Sequence, residues 1–146
     1  MKNVMMEFVL EMTCNPFLRA AALAVVFDTI MGILRAIKER KFNSCIGING
    51  AIRKVGMILS ILFLSLADTI IGINLVGFIP VELWAKLGME TPFHLGLAEF
   101  FAILFIAYEI VSILKNMTLA GLPVKGLWKK VKDILSKYTT ELPDED

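Results

Sequence analysis

The stretch VGMILSILFLSLADTIIGINLVGFI, from Val55 to Ile79, decides the fold class of this chain. It is rich in Leu, Ile and Phe, and its one charged residue is Asp68. A helix needs about 20 mostly apolar residues to cross the hydrocarbon core of a bilayer. The stretch therefore predicts a transmembrane helix.

Two further apolar blocks lie on either side of this one. The block from Phe93 to Leu114 contains Glu99 and Glu109 and predicts another span. The block from Leu18 to Arg35 is weaker, because Asp28 near its centre costs about 2.5–3.5 kcal/mol of insertion free energy. That cost nearly cancels its Leu, Ile, Val and Phe residues, each of which contributes roughly −0.3 to −0.6 kcal/mol. We expect it to insert with the help of its neighbours, although a soluble core helix is the alternative.

The composition agrees with an integral membrane protein. Hydrophobic residues make up 57% of the chain, against about 45–50% in soluble domains. Two cysteines and one histidine offer neither a disulfide framework nor a metal site. No catalytic nucleophile motif or phosphate-binding glycine loop is present. We therefore expect one all-α membrane domain over residues 1–146, with no cofactor, no metal and no enzymatic activity.

The distribution of basic residues predicts the orientation. Lys and Arg are concentrated in the loop before Val55 and in the segment after Leu114, whereas the loop from Pro80 to Pro92 carries only Lys86. The positive-inside rule then places the first loop and the C-terminus in the cytoplasm and the N-terminus outside. For residues 38–50 within the first loop, a surface helix and a disordered connector remain equally open.

The C-terminal region has a different pattern. Gly121 and Pro123 predict a helix break, and residues 125–138 then show apolar positions at helical spacing. The residues expected to face anionic lipid on this amphipathic helix are Lys125, Trp128, Lys129, Lys130 and Lys132. The alternative is a solvated helix that packs on the loop. Anionic lipid is the nearer polyanion, so no nucleic-acid partner is expected, and residues 139–146 form an acidic tail.

Four carboxylic acids lie in the predicted spans: Asp28, Asp68, Glu99 and Glu109. Ionisable groups in a bilayer normally face a bundle interior or a water-filled cavity. Counted from the span midpoints, Asp28 and Asp68 fall at nearly the same depth, which predicts that they interact across neighbouring helices. The acids could act as a switch that ionises when water reaches them, or they could simply hold the helices together.

Two patterns suggest how the helices pack. Glu109, Ser112 and Asn116 share one helix face at steps of three and four residues, and this polar stripe could line a lumen or bind the next helix. The sequence D-T-I-x-G occurs twice, ending at Gly32 and at Gly72. Glycine lets helices approach closely in lipid, so we expect the first two spans to pack together at these positions.

The run FDTIMGILRAIKERKFNSCIGINGAIRKVGMIL resembles the bacteriophage holins related to clostridial toxin-secretion proteins. The resemblance is carried by an Asp and a Gly in the first span, then by small residues and a basic pair: Asp28, Gly32, Ala36, Ser44, Gly47, Gly50, Arg53 and Lys54. A second signature, YEIVSILKNMTLAGLPVKGLWKKVKDIL, supplies Glu109, Ser112, Ile113, Asn116, Gly121 and Pro123. Lys115 departs from the pattern, where the family usually has an acid.

The resemblance implies a function that composition alone does not. Holins accumulate in the cytoplasmic membrane and then assemble into lesions that depolarise the cell. A cell-wall hydrolase, or in some relatives a toxin, then passes outward. The implied partners are membrane lipid, further copies of the chain, and an endolysin or secreted toxin. The alternatives are a small proton-coupled transporter, in which the same acids would form a proton relay, and a membrane scaffold for another complex.

Overall fold

The computed structural model describes residues 2–40, 44–89 and 94–138, and within these ranges the regular secondary structure is entirely helical. The helices are α1 (Lys2–Cys14), α2 (Pro16–Glu39), α3 (Ser44–Ile71), α4 (Val81–Lys86), α5 (Leu97–Leu119) and α6 (Lys125–Leu135). Three segments are long and apolar enough to cross a membrane, namely Pro16–Glu39, Gly47–Ile71 and Leu97–Leu119. The predicted fold class, three membrane-spanning helices and a C-terminal helix, is confirmed.

Helix α2 begins at a well-defined N-cap. The side-chain oxygen of Asn15 accepts hydrogen bonds from the backbone N–H groups of Phe17, at 2.9 Å, and Leu18, at 3.3 Å. Pro16 occupies the first helical position, where its missing N–H group has no intrahelical partner to lose. The helix therefore starts two residues before the predicted span 18–35 and also continues beyond it, to Glu39.

Helix α3 differs most from the prediction. It runs from Ser44 to Ile71, so the predicted span 55–79 is wrong at both ends. Gly72 has φ +69°, a left-handed conformation that ends helices and suits glycine. The apolar residues after it form a turn that is tied to the start of α5, because the Leu75 N–H donates to the carbonyl of Leu95 at 2.7 Å. Ser44–Gly50 is part of α3, and residues 41–43 lie outside the described residues.

Helix α5 runs from Leu97 to Leu119, a few residues later than the predicted span 93–114. The predicted break after it is confirmed. The Leu122 N–H donates to Met117 O and the Gly121 N–H donates to Thr118 O, both at 3.0 Å. These two bonds form a Schellman motif, with Gly121 at φ +89° and Pro123 just beyond.

Gly121→Ala is expected to destabilise the protein. The left-handed conformation costs a non-glycine residue about 1–2 kcal/mol, and a Cβ atom at this position would also displace the Lys38 ammonium group. Thermal unfolding in detergent would measure the loss. Gly126→Ala is the control, since Gly126 lies inside α6 with nothing within 4 Å of its Cβ position. Equal melting temperatures for the two variants would contradict the prediction.

Helix α5 is the centre of the bundle, because it packs on α2, α3 and α6, and its contact with α2 is the most extensive. Its alanines Ala98 and Ala102 are fully buried and let neighbouring backbones come close. They join Leu18, Ala21 and Ile61 in the apolar core.

The predicted packing of the first two spans through Gly32 and Gly72 is wrong. Helices α2 and α3 make few contacts with each other. Gly72 lies past the end of α3 with nothing near its Cβ position, and Gly32 faces Asn116 of α5, whose amide nitrogen lies 3.7 Å away. A glycine beyond the end of a helix serves the turn there and not a helix interface, which is why the repeated D-T-I-x-G pattern misleads.

The outer faces of the three long helices are mostly apolar, with large exposed hydrophobic side chains on each of them. Leu23, Phe63 and Ile70 are each more than two-thirds exposed. A soluble protein rarely exposes so many large apolar side chains together, whereas a lipid-facing surface requires them. The alternative of a soluble core helix for the first span therefore fails.

Helix α6 ends at Leu135 and is followed by a turn to Tyr138, close to the predicted 125–138. It packs against α5 through half-buried side chains, whereas Leu127, Ile134 and Tyr138 are exposed. The predicted acidic tail, residues 139–146, lies outside the described residues.

Candidate functional site

Four polar side chains from the three long helices meet inside the bundle. Asp28 of α2, Lys54 of α3, and Glu109 and Asn116 of α5 form what we call the central cluster. The Lys54 ammonium group donates to a carboxylate oxygen of Asp28 at 2.7 Å and to one of Glu109 at 2.8 Å. The side-chain amide of Asn116 donates to the other oxygen of Asp28 at 2.9 Å. One lysine thus joins all three spanning helices.

The hydrogen bonding of Lys54 is complete. Its third contact is the backbone carbonyl of Val25, at 3.3 Å, and an ammonium group has three donors. The acids are in excess, because two carboxyl groups share one ammonium group. One Glu109 oxygen, Oε1, is buried with no hydrogen-bond partner among the described residues.

The two carboxyl groups of the central cluster lie near the middle of their spanning helices, whereas Lys54 and Asn116 reach them from nearer one end. Asp28 is 12 residues from the start of α2 and 11 from its end, which is about 18 Å and 16 Å at 1.5 Å per residue. Glu109 is likewise 12 residues into α5 and fully buried. Ionised groups at this depth are costly unless they are paired, so the pairing is what makes the arrangement stable in a bilayer.

A second polar group lies at one end of the bundle, where α2 and α5 begin and α3 ends. This terminal cluster contains Asn15, Asp68, Glu99 and the backbone of Gly96 and Ala98. Asp68 accepts a hydrogen bond from the Ala98 N–H at 2.7 Å, and Glu99 accepts one from the Gly96 N–H at 2.8 Å. The side-chain amide of Asn15 donates to Glu99.

Asp68 acts as the N-cap of a helix to which it does not belong. The N-cap position of α5 is Gly96, which has no side chain to accept the first free N–H groups. Asp68 of α3 accepts from Ala98 instead, and a carboxylate next to a helix N-terminus is favourable. Gly96 is required for this approach, because a Cβ atom there would lie 2.6 Å from an Asp68 oxygen.

The two clusters correct the predicted placement of the acids. Asp28 and Asp68 are not neighbours, because α3 ends at Ile71 and Asp68 therefore lies at the end of the bundle. Glu109, not Asp68, shares the level of Asp28. Glu99 lies at the N-terminus of α5 instead of partway towards the midplane.

The predicted polar stripe of α5 is turned inward within one chain. Glu109 and Asn116 belong to the central cluster, and Ser112 is buried on the same face. This face binds α2 and α3, so its polar groups are already used inside the protomer. Lys115 beside it is buried as well.

The other predicted motif residues divide into several groups. Gly47 and Gly50 have nothing within 4 Å of their Cβ positions, and the side chain of Ser44 lies outside the described residues. Arg53 is exposed, with its guanidinium carbon 4.9 Å from the centre of the Tyr108 ring. On α6, Lys125, Lys129 and Lys130 are exposed, and Trp128 and Lys132 are half-buried.

Sequence reasoning missed the roles of two residues. Lys54 was expected in a cytoplasmic loop, whereas it lies within α3 and binds the central acids. Asn15 was not singled out, although Asn before Pro is a recognised signal for a helix start. No signal in the sequence pairs Lys54 with Asp28, because that contact depends on how α3 is placed. No group of three potential metal ligands was found among the described residues.

Comparison with known proteins gives two matches. The profile of the family described as "Bacteriophage holin family" matches residues 6–138. The chain is also similar to the holin-like protein TcdE of Clostridioides difficile, with 46% identity over 145 residues, which cover 99% of this chain and 84% of the relative. No solved structure matches significantly.

Proposed function

The chain belongs to the bacteriophage holin family, and from this premise we propose how it works as a holin. It is a multi-pass membrane protein, and its copies assemble in the cytoplasmic membrane into a lesion. The observation that carries the proposed mechanism is the central cluster, in which Lys54 bridges Asp28 and Glu109. In the resting protomer this bridge holds α2, α3 and α5 together, and the ammonium group partly neutralises the two carboxyl groups within the bilayer.

Opening of the bundle would bring water to the clustered acids. Among the described residues, each cluster has one buried oxygen without a hydrogen-bond partner, Glu109 Oε1 in the central cluster and Asp68 Oδ1 in the terminal cluster. The Ser65 hydroxyl oxygen, on the buried face of α3, is a third. Such groups are costly when dry, so hydration of the lesion interior would be favourable. In this proposal the acids therefore favour hydration of the open lesion, in addition to packing the helices of the resting protomer.

In this proposal the membrane potential acts on the charge of the central cluster. With all three groups charged, the central cluster would carry one net negative charge. A charge that crosses the full membrane potential gains or loses about 2.3 kcal/mol per 100 mV, and one at mid-depth experiences roughly half of that. Local loss of potential would then shift the balance between closed and assembled protomers.

The orientation that we propose has the N-terminus outside and the C-terminus in the cytoplasm. Arg53 and Lys54 lie within a spanning helix and no longer count as loop charges. The loop still has Arg40 and Lys41, and Lys38 lies in the last turn of α2 beside it. The exposed lysines of α6 lie on the same side, because Lys38 donates to the carbonyl of Leu119 at the end of α5. These lysines support contact of α6 with anionic lipid of the inner leaflet, with Leu127, Ile134 and Tyr138 entering the interface.

The cargo that we propose is a cell-wall hydrolase or a secreted toxin, and the chain itself is proposed to have no enzymatic activity. Expression should be induced in a bacterium that contains a cytoplasmic cell-wall hydrolase, while membrane potential and culture density are followed together. We expect abrupt depolarisation, followed by lysis only in the presence of the hydrolase. Steady growth with the protein confirmed in the membrane would refute the proposal.

A further inference from the structure

Helix α3 has three distinct faces. Its buried face, against the rest of the protomer, contains Met57, Ile61, Ser65 and Asp68. A second, exposed face is apolar and consists of Ile48, Ile52, Val55, Leu59 and Leu66. A third face, also exposed, is polar or small and consists of Asn49, Arg53, Gly56 and Ser60. Members of each face follow one another at steps of three, four or seven residues, the spacing of one side of a helix.

The third face, which we call the α3 polar stripe, runs from Asn49, near the start of the span Gly47–Ile71, to Ser60, at its middle. Lys54, on the neighbouring face, reaches the side chain of Asp28 and the carbonyl of Val25, both within the middle part of α2. Arg53 is the adjacent residue, and its guanidinium group contacts Tyr108, which lies 11 residues into α5. The exposed charged residues of α2, by contrast, lie near its ends, at Arg19 and Lys38.

An exposed arginine at this level is poorly suited to lipid. Arg53 lies six residues, about 9 Å, inside the span Gly47–Ile71. Lipid disfavours an arginine there, although by less than the roughly 2.5–3.5 kcal/mol of an arginine at the helix centre. The contact with the Tyr108 ring returns roughly 0.5–2 kcal/mol. Arg53 forms no ion pair with any described residue, so its charge has no counter-charge within the described part of one protomer.

Among the described residues, a second copy of the chain offers Arg53 no exposed carboxylate at this level. Apart from Thr29 and the stripe itself, the exposed residues there are apolar, such as Phe27 and Ile30 on α2 and Ile110 on α5. The carboxyl groups at this level, Asp28 and Glu109, are buried in their own protomer. Water satisfies a guanidinium group without a counter-charge, so the environment that suits the stripe is aqueous.

We propose that the α3 polar stripe lines the aqueous lumen of the assembled lesion, with Arg53 projecting into the water. The apolar face of α3 remains in lipid or against a neighbouring copy. This proposal rests on the proposed holin function and identifies its lining surface. It also replaces the polar stripe of α5 as the candidate lining, because that stripe is already used inside the protomer.

Cysteine accessibility tests the proposal at two depths. Cys14 and Cys45 are first replaced by serine, and single cysteines are then introduced in matched pairs. Ser60→Cys is compared with Leu59→Cys, and Asn49→Cys with Ile48→Cys. The two members of each pair differ in depth by about 1.5 Å but lie on different faces. A charged, membrane-impermeant thiol reagent is added to cells before and after depolarisation.

The reagent reacts with the thiolate, which needs water to form. After depolarisation we expect Ser60→Cys and Asn49→Cys to react at least about tenfold faster than their partners, and Ser60→Cys to be protected before it. Equal reactivity within both pairs, or faster reaction of the apolar face, overturns the lumen assignment while the proposed function stands, because depolarisation is recorded in the same cells. Failure of the native chain to depolarise the membrane refutes both.

Discussion

Replacing Lys54 with methionine is expected to destabilise the resting protomer more than any other single substitution in the bundle. Methionine matches the unbranched apolar part of the lysine side chain but lacks the ammonium group that joins Asp28 and Glu109. Removal of one partner from a buried ion pair typically costs about 3–5 kcal/mol. We expect a lower unfolding temperature in detergent and earlier depolarisation after induction, at equal amounts of protein in the membrane.

The cause of this effect can be isolated by two further variants. Lys86→Met removes an exposed lysine of α4 and should leave both measurements unchanged. A triple variant that adds Asp28→Asn and Glu109→Gln to Lys54→Met removes every formal charge from the central cluster. It should recover most of the lost stability, because an uncharged cluster has no unpaired ion. If Lys54→Met melts and triggers as the native chain does, the central cluster does not hold the helices together.

Gly96→Ala is expected to have the second-largest effect. The new Cβ atom would lie 2.6 Å from an Asp68 oxygen and 2.7 Å from a Glu99 oxygen, so both carboxylates must move. Overpacking of this kind costs about 1–3 kcal/mol, and loss of the acceptor for the Ala98 N–H adds roughly 1 kcal/mol, the usual value of an N-cap. Thermal unfolding in detergent is again the measurement.

The matched control for Gly96→Ala is Gly50→Ala. Gly50 is inside α3, and no atom of the described residues lies within 4 Å of its Cβ position; alanine is favoured over glycine in helices. Its melting temperature should stay level or rise slightly. A Gly96→Ala protein as stable as Gly50→Ala would show that Asp68 does not cap α5 in solution.

Local sequence determined the number of membrane-spanning helices and the C-terminal helix, whereas α1 and α4 were not predicted. Long apolar blocks have few stable conformations in a bilayer other than a helix, because backbone hydrogen bonds must be satisfied within the segment. Gly121 and Pro123 marked the end of α5 for an equally local reason, since one permits the left-handed conformation and the other cannot continue a helix. The helical spacing of its apolar residues also predicted the amphipathic helix α6.

Only the tertiary structure decided which polar groups meet. Hydropathy counts Gly72 as a tolerable residue within an apolar block, and so the predicted second span was placed too far along the chain. That shift placed Asp68 at mid-membrane and Lys54 outside the membrane. In the structure Asp68 lies near the end of α3, at the end of the bundle, and Lys54 binds the central carboxyl groups of Asp28 and Glu109. The position of a charged side chain within the bilayer depends on the partners that neutralise it. Those partners lie on other helices, at sequence separations of 26 and 55 residues, where no local pattern connects them.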